Sequence, residues 1–296
     1  MTNEKYIFAL GFFDGVHLGH QALLRECRRL ADSLGCRAGA ITFERHPKTL
    51  FSQTSPVLIS TLADRRRLLT DYGMDHIEAF PVTKEVMSTS WQDFYAMLRN
   101  LGGIGFVCGQ DFRFGCRGEG NARLLAERCR EDGIPCIIVP DQTVNGIRVS
   151  STYIRSQIES GDMATAVAFL GHPYILTGQV VPGKQLGRRL GIPTANLRLP
   201  EDLAVPKFGV YACRAIVDGI RRPAVTNIGT RPTVEGQGIT VEPWILDYSG
   251  DLYGRDITLE FHRFLRPERK FASLEELKEE IHRNAEETRI LFNNPL

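Results

Sequence analysis

The sequence predicts two folds in series: a Rossmann-like parallel α/β domain over residues 1–172, then a small antiparallel β-barrel with a terminal helix over 173–296. Three observations predict them. Up to about residue 170, short apolar runs alternate with helical patterns, as in a parallel sheet covered on both faces. Beyond Gly171-His172-Pro173, strand-like runs succeed one another across Pro/Gly turns with no helix between them, as in a small barrel. The length of 296 residues lets each domain bury its own core.

In the first half, Tyr6 to Leu10 is an apolar run of strand type, and Leu23, Leu24, Cys27, Leu30, Ala31 and Leu34 recur at helical spacing until Gly35. Strands are expected at Arg37–Phe43, His76–Phe80, Ile104–Cys108 and Ile134–Val139, and helices at Leu62–Tyr72, Trp91–Leu101 and about Asn121–Asp132. In the second half, a short helix to about Leu170 precedes strands at Tyr174–Val181, Gly209–Val217, Ala224–Ile228, Thr240–Tyr248 and Ile257–Leu265. A final amphipathic helix from Leu274 to about Leu291 carries Leu274, Leu277, Ile281, Ala285 and Thr288 on one face.

A net charge of +1 gives no electrostatic reason to expect nucleic acid or an anionic membrane as partner. No apolar run approaches a membrane span, and residues 1–5 lack a signal peptide's apolar region. Seven cysteines without a C-x-x-C pair suit reduced thiols in a cytoplasmic protein.

The chemistry concentrates in a few stretches. Gly11-Phe12-Phe13-Asp14-Gly15-Val16-His17-Leu18-Gly19-His20 lies where a buried strand hands over to a helix N-terminus, a natural anion site with two imidazoles added. Asp14, His17 and His20 could instead ligate a metal, or the histidines could merely cap the helix. Gly109-Gln110-Asp111-Phe112-Arg113-Phe114-Gly115 sets an acid and a base among aromatics, which suits a flat heteroaromatic ligand, or else a turn whose phenylalanines belong to the core. Ser150, Ser151, Thr152 and Arg155 offer hydroxyls, amides and a fixed cation at one helix start; such hydroxyls are also ordinary N-caps.

Gly178 to Gln185 has Walker A spacing up to Lys184, but Gln185 lacks the hydroxyl that would hold a metal, so a P-loop is rejected. Gly183, Gly187 and Gly191, with Lys184 and two arginines between them, suit a flap over phosphates. They run into Ile192-Pro193-Thr194-Ala195-Asn196, where Thr194 and Asn196 offer two uncharged oxygens suited to Mg²⁺ shared with a nucleotide.

Together these stretches resemble the bacterial bifunctional riboflavin kinase/FAD synthetases, which implies an HxGH nucleotidyltransferase fold for the N-terminal domain. The opening turn is similar to their G-x-F-D-G-x-H-x-G-H signature, residues 109–115 to G-x-D-F-x-F-G, residues 150–155 to S-S-T-x-I-R, and residues 191–196 to G-x-P-T-A-N. Phe43 and His46-Pro47 fit F-x-x-H-P, with Arg45 where a proline is common. Further matches run through residues 206–211, 227–233, 252–254 and 266–271, so the resemblance covers nearly the whole chain.

The resemblance implies two reactions, both using ATP and Mg²⁺: phosphorylation of riboflavin to FMN, then adenylylation of FMN to FAD with release of pyrophosphate. It implies that Gly11, Phe13, Asp14, Gly15, Gly19 and residues 150–152 bind ATP, with His17, His20 and Arg155 stabilising charge on the phosphoryl oxygens. Phe43, His46, Asp111, Phe112, Arg113 and Arg266 would contact flavin. Glu242 would take the proton from the riboflavin 5′-hydroxyl, with Trp244 standing where a histidine is frequent. Retention of a single activity, or a flavin-sensing regulator without catalysis, are the competing expectations.

Overall fold

In a computed structural model the chain divides into two compact units, residues 1–151 and 152–296. The residues described are 4–51, 56–183, 191–200, 202–233 and 236–293.

The first unit is built on strands β1 (Tyr6–Leu10), β2 (Arg37–Phe43), β3 (His76–Phe80), β4 (Gly103–Gly109) and, after a hairpin of β5 (Arg113–Phe114) and β6 (Gly120–Asn121), β7 (Cys136–Val139). The five long strands are parallel, in the order β3-β2-β1-β4-β7, and a second hairpin, β8 (Thr143–Val144) and β9 (Ile147–Arg148), follows. Helices α1 (Leu18–Ser33), α2 (Leu62–Asp71), α3 (Lys84–Met87), α4 (Trp91–Asn100) and α5 (Ala122–Glu131) connect the strands. The side chains of Thr61, Ser90 and Asn121 each accept from a backbone N–H three residues on, which sets the starts of α2, α4 and α5.

β1 is buried along its full length, as a central strand covered on both faces must be. The strand order reverses direction beside it, β2 and β3 lying on one side and β4 and β7 on the other. The turn that follows β1 therefore stands at the switch point, where such sheets open a crevice beyond their carboxyl ends.

The second unit starts with α6 (Ser151–Ser160), whose first residue is the last of the first unit, and α7 (Met163–Leu170). Its six strands are β10 (Tyr174–Val181), β11 (Asn196–Arg198), β12 (Gly209–Val217), β13 (Ile220–Thr233), β14 (Gly236–Ile245) and β15 (Asp256–Arg266). They close into an antiparallel barrel in the order β10-β11-β14-β13-β12-β15, and α8 (Leu274–Asn293) ends the described chain. α7 packs on β10 and β15, and the Lys207 N–H donates to the Ile158 carbonyl at 3.4 Å. These contacts group residues 152–170 with the barrel, ahead of the change of fold class at 172.

Most elements lie where periodicity put them. β11 was not expected, because its three residues carry one buried apolar side chain, Leu197, between two polar ones. The apolar face of α8 is also shifted. Leu274 is 56% exposed, whereas Glu280, Asn284, Ala285 and Thr288 are buried.

Candidate active sites

The turn after β1 is strained where it bends. Phe13 and the β-branched Val16 hold φ of 58° and 40°, in the left-handed region that such side chains avoid. Asp14 fastens it from beneath: Ile59 N–H and Ser60 N–H donate to its Oδ1 at 2.8 and 3.1 Å, and Gly15 N–H donates to Ser60 Oγ at 2.9 Å. The Asp14 carboxylate thus ties the turn to the neighbouring loop at Ile59 and Ser60. Ser151 Oγ donates to the Asp14 carbonyl at 3.2 Å, so one hydroxyl of the 150–152 cluster braces the same turn.

His17 is the N-cap of α1, and its Nδ1 accepts from the His20 N–H at 3.3 Å. That leaves its Nε2 to donate in the neutral ring. The two imidazoles stack 3.6 Å apart at 14°. Gly19 allows the approach, since a Cβ there would stand 3.1 Å from His17 Cε1. Burial, then His17, then Arg65 hold the His20 imidazole well below its ordinary pKa, and its Nδ1 is buried without a hydrogen-bond partner. Of the two histidines, His17 takes the capping role. Among the described residues no group of three or more His, Cys, Asp or Glu side chains is placed to hold a metal ion.

A cavity of about 1030 Å³ opens beside this turn and is lined by Gly11 and Phe12, by Phe43 at the end of β2 and His46 beyond it, and by Phe112 and Arg113 beyond β4. Three strand ends thus contribute, as the switch point requires. Phe112 and Phe114 stack with ring centres 5.4 Å apart, and Phe12 meets His46 edge-on at 4.8 Å. Asp111 lies outside this lining and pairs with Arg148 at 2.7 Å. Ser150 belongs to the first unit; Thr152 and Arg155 belong to the second, where Arg155 donates to Thr152 Oγ1 at 3.3 Å.

One functional candidate escaped the sequence reading. Arg65, within the charged helix α2, is fully buried while Arg66 beside it is exposed. A run of three arginines reads as a solvated face, and nothing in the pattern marks which one turns inward.

In the barrel, the register brings several of the expected site residues into one row. Leu197 of β11 pairs with Val241 of β14, and the Ala195 N–H donates to the Pro243 carbonyl at 2.9 Å. Between these two links Asn196 and Glu242 stand opposite each other, on the face away from the buried Leu197 and Val241. Glu242 is in turn paired with Asn227 of β13, Asn227 with Val210 of β12, and Val210 with Arg266 of β15. A single row across five strands therefore carries Asn196, Glu242, Asn227 and Arg266. The Asn227 amide donates to Glu268 at 3.2 Å.

Gly183 lies against the end of this row, where a Cβ would stand 2.1 Å from Asn196 Nδ2. Thr194 lines a separate cavity of about 660 Å³ with Tyr248 and Tyr253. Gly191 takes φ 73°; Lys184 and Gly187 lie outside the described residues. Gly178 is inside β10, so the stretch with Walker spacing begins as strand. Arg266 is engaged with α8: its Nε donates to Asn284 Oδ1 at 3.0 Å and lies 3.3 Å from Glu280 Oε1. Trp244 meets His282 of α8 edge-on at 5.7 Å.

Comparison with known proteins adds names to this geometry. A family model described as FAD synthetase matches residues 1–153, and one described as riboflavin kinase matches residues 170–292. Proteins named bifunctional riboflavin kinase/FMN adenylyltransferase from Listeria monocytogenes and Escherichia coli K12 are 34% and 35% identical, each over 98% of this chain and 94% and 93% of their own. One from Pseudomonas fluorescens is 36% identical over 96% of this chain and 92% of its own. A crystal structure of a Streptococcus pneumoniae protein described as a macrolide-efflux protein has a TM-score of 0.87 at 29% identity, covering 98% of this chain and 95% of that one. Among the described residues no helix is long and apolar enough to cross a membrane.

Proposed function

The chain belongs to the bifunctional riboflavin kinase/FMN adenylyltransferases, and from that premise we propose how its residues divide the two reactions. The protein phosphorylates riboflavin with ATP to give FMN, then transfers an adenylyl group from a second ATP to FMN. Residues 1–172 carry the second reaction and 173–296 the first. The cytoplasm is the proposed place of action, without nucleic acid or membrane as partner.

In the kinase reaction, Glu242 removes the proton from the riboflavin 5′-hydroxyl as its oxygen attacks the γ-phosphorus of ATP, and ADP leaves. The observation that carries this assignment is the register that sets Glu242 opposite Asn196. A base and a polar oxygen that binds the phosphate end of ATP must act on one reaction centre, and cross-strand neighbours keep that distance fixed. Thr194 and Asn196 would hold Mg²⁺, for which a hydroxyl and an amide oxygen are suitable hard donors, and Gly183 leaves the Asn196 amide uncrowded. Bound there, the ion would neutralise charge on the phosphates. Gly183, Lys184, Gly187 and Gly191 cover the phosphates, and Arg266 borders the flavin.

In the adenylylation, a phosphate oxygen of FMN attacks the α-phosphorus of ATP and pyrophosphate departs. The attacking oxygen is already ionised, so no base is needed. His17 donates from Nε2 to a phosphoryl oxygen, and His20 acts as a neutral imidazole. Arg155 supplies the fixed charge, with Ser150, Ser151 and Thr152 as further donors. Gly11, Phe13, Asp14, Gly15 and Gly19 shape the turn, while Phe43, His46, Asp111, Phe112 and Arg113 serve the flavin. The one carboxylate of the turn, Asp14, already accepts from Ile59 and Ser60, so no protein ligand for Mg²⁺ is assigned there.

Incubation of the purified protein with riboflavin, ATP and Mg²⁺, with flavins separated over time, tests the assignment. FMN should appear first and FAD after it. Glu242→Gln should stop FMN formation while FMN supplied directly is still converted to FAD; normal FMN formation by that variant would remove Glu242 from the reaction.

A further inference from the structure

We propose that Arg65 is a positioning residue for FMN adenylylation, clamping the Phe12–Phe13 peptide so that its N–H is presented to a substrate phosphate. The inference deepens the reading of the first unit as the adenylylating site and rests on it.

A guanidinium that is fully buried is costly unless something requires its charge there. All the direct partners of Arg65 among the described residues are neutral. Its Nη1 donates to the Phe12 carbonyl at 2.8 Å and to Thr42 Oγ1 at 3.1 Å, and its Nη2 to the Glu44 carbonyl at 3.4 Å. The guanidinium carbon lies 4.2 Å from the centre of the Phe12 ring, and Nε is buried without a partner. Burial lowers the Arg65 pKa to about 10, and the Asp14 carboxylate acts against that shift. A buried cation held by carbonyls and a ring contributes little stability that a neutral side chain could not supply.

What Arg65 fixes is one peptide plane. The Phe12 carbonyl receives a second hydrogen bond from Thr42 Oγ1 at 2.9 Å, so two donors draw it inward. In a planar trans peptide the following N–H points the opposite way. That N–H belongs to Phe13, whose left-handed conformation the clamp helps to hold. Phe13 N–H donates to none of the described residues. Gly11 and Phe12 line the large cavity, so the peptide borders the space the nucleotide would enter. Arg65 and Thr42 thus act on the substrate through the backbone, without touching it.

The test compares Arg65→Met, Arg65→Lys and Thr42→Val with the parent protein in both reactions. For FAD synthesis, Arg65→Met should raise KM for ATP about tenfold and Thr42→Val about threefold, with Arg65→Lys closer to the parent than Arg65→Met. KM for ATP in riboflavin phosphorylation, measured on the same chains, should stay within about twofold. A variant that merely loses part of its folded population loses kcat but keeps KM, so the split separates positioning from folding. If Arg65→Met does not fold, Thr42→Val decides by the same criterion. An adenylylation KM for ATP unchanged within about twofold overturns the proposal for Arg65 while leaving the two-site reading intact. A parent protein that makes no FAD from FMN overturns both.

Discussion

Two imidazoles stacked 3.6 Å apart cannot both be charged at modest cost, since like charges in a partly desolvated site repel strongly. In the folded chain His20 binds a proton only well below the ordinary histidine value of 6.5; unfolded, it binds one as the pH falls through that value. The unfolded state therefore gains protons first, and stability that is complete above pH 6.5 is lost as the pH falls below it. The melting temperature of the first unit should drop between about pH 7 and 5.5, and His20→Gln should flatten that drop. An equal slope in parent and variant would show that the pair carries no such linkage. In the barrel, Gly183→Ala drives a methyl group into the Asn196 amide. It should raise the Mg²⁺ concentration needed for half-maximal FMN formation and leave FAD synthesis from FMN unchanged. At this scale the sequence marked the histidines and the Thr194/Asn196 pair as candidates, because motifs are local. It could not show Arg65, whose partners lie 21–53 positions away.

Helix α8 shows why element type is easier to read than element face. Its length and helical period were legible, but apolar spacing selected Leu274 and missed Glu280 and Asn284. Those two are buried because the end of β15 supplies a partner: Arg266 reaches both. Arg269 and Arg283 also approach Glu280, at 3.0 and 3.1 Å, but their side chains are 48% and 65% exposed, against 16% for Arg266. The exposed pairs are screened, so the Arg266 contact carries most of the interaction. Glu280→Ala leaves Arg266 half-paired under the helix and should cost about 2 kcal/mol in the urea unfolding of the second unit. Glu286→Ala, whose pairing with Arg289 at 3.9 Å is exposed, should cost less than about 0.5 kcal/mol. Equal losses would mean that the latch is not built on Arg266. β11 was illegible for a related reason. Three residues with one buried side chain give no period, and only pairing with β10 and β14 makes them a strand.

Among the described residues, the cavity beside the turn after β1 is lined by residues between 10 and 118, and the cavity at Thr194 by residues between 180 and 253. The order of the two folds was legible, because a switch from alternating helices and strands to consecutive strands is a long-range pattern that no single residue can mask. Which residues line each cavity was not, since the lining is set by tertiary packing. The proposed assignment of the two reactions to different residues has a consequence for the reaction sequence. A chain disabled in one reaction should retain the other, and two differently disabled chains should complete the sequence between them. Glu242→Gln mixed with His20→Asn in equal amounts should convert riboflavin to FAD, FMN made by the second variant passing through solution to the first. FAD should then appear after a lag that shortens as total protein is raised, because FMN must accumulate to the KM of the adenylylating site before the second reaction runs at speed. Either variant alone should yield no FAD from riboflavin. Failure of the mixture to form FAD, with each variant shown competent in its remaining reaction, would mean that FMN made at one site does not reach the other through solution.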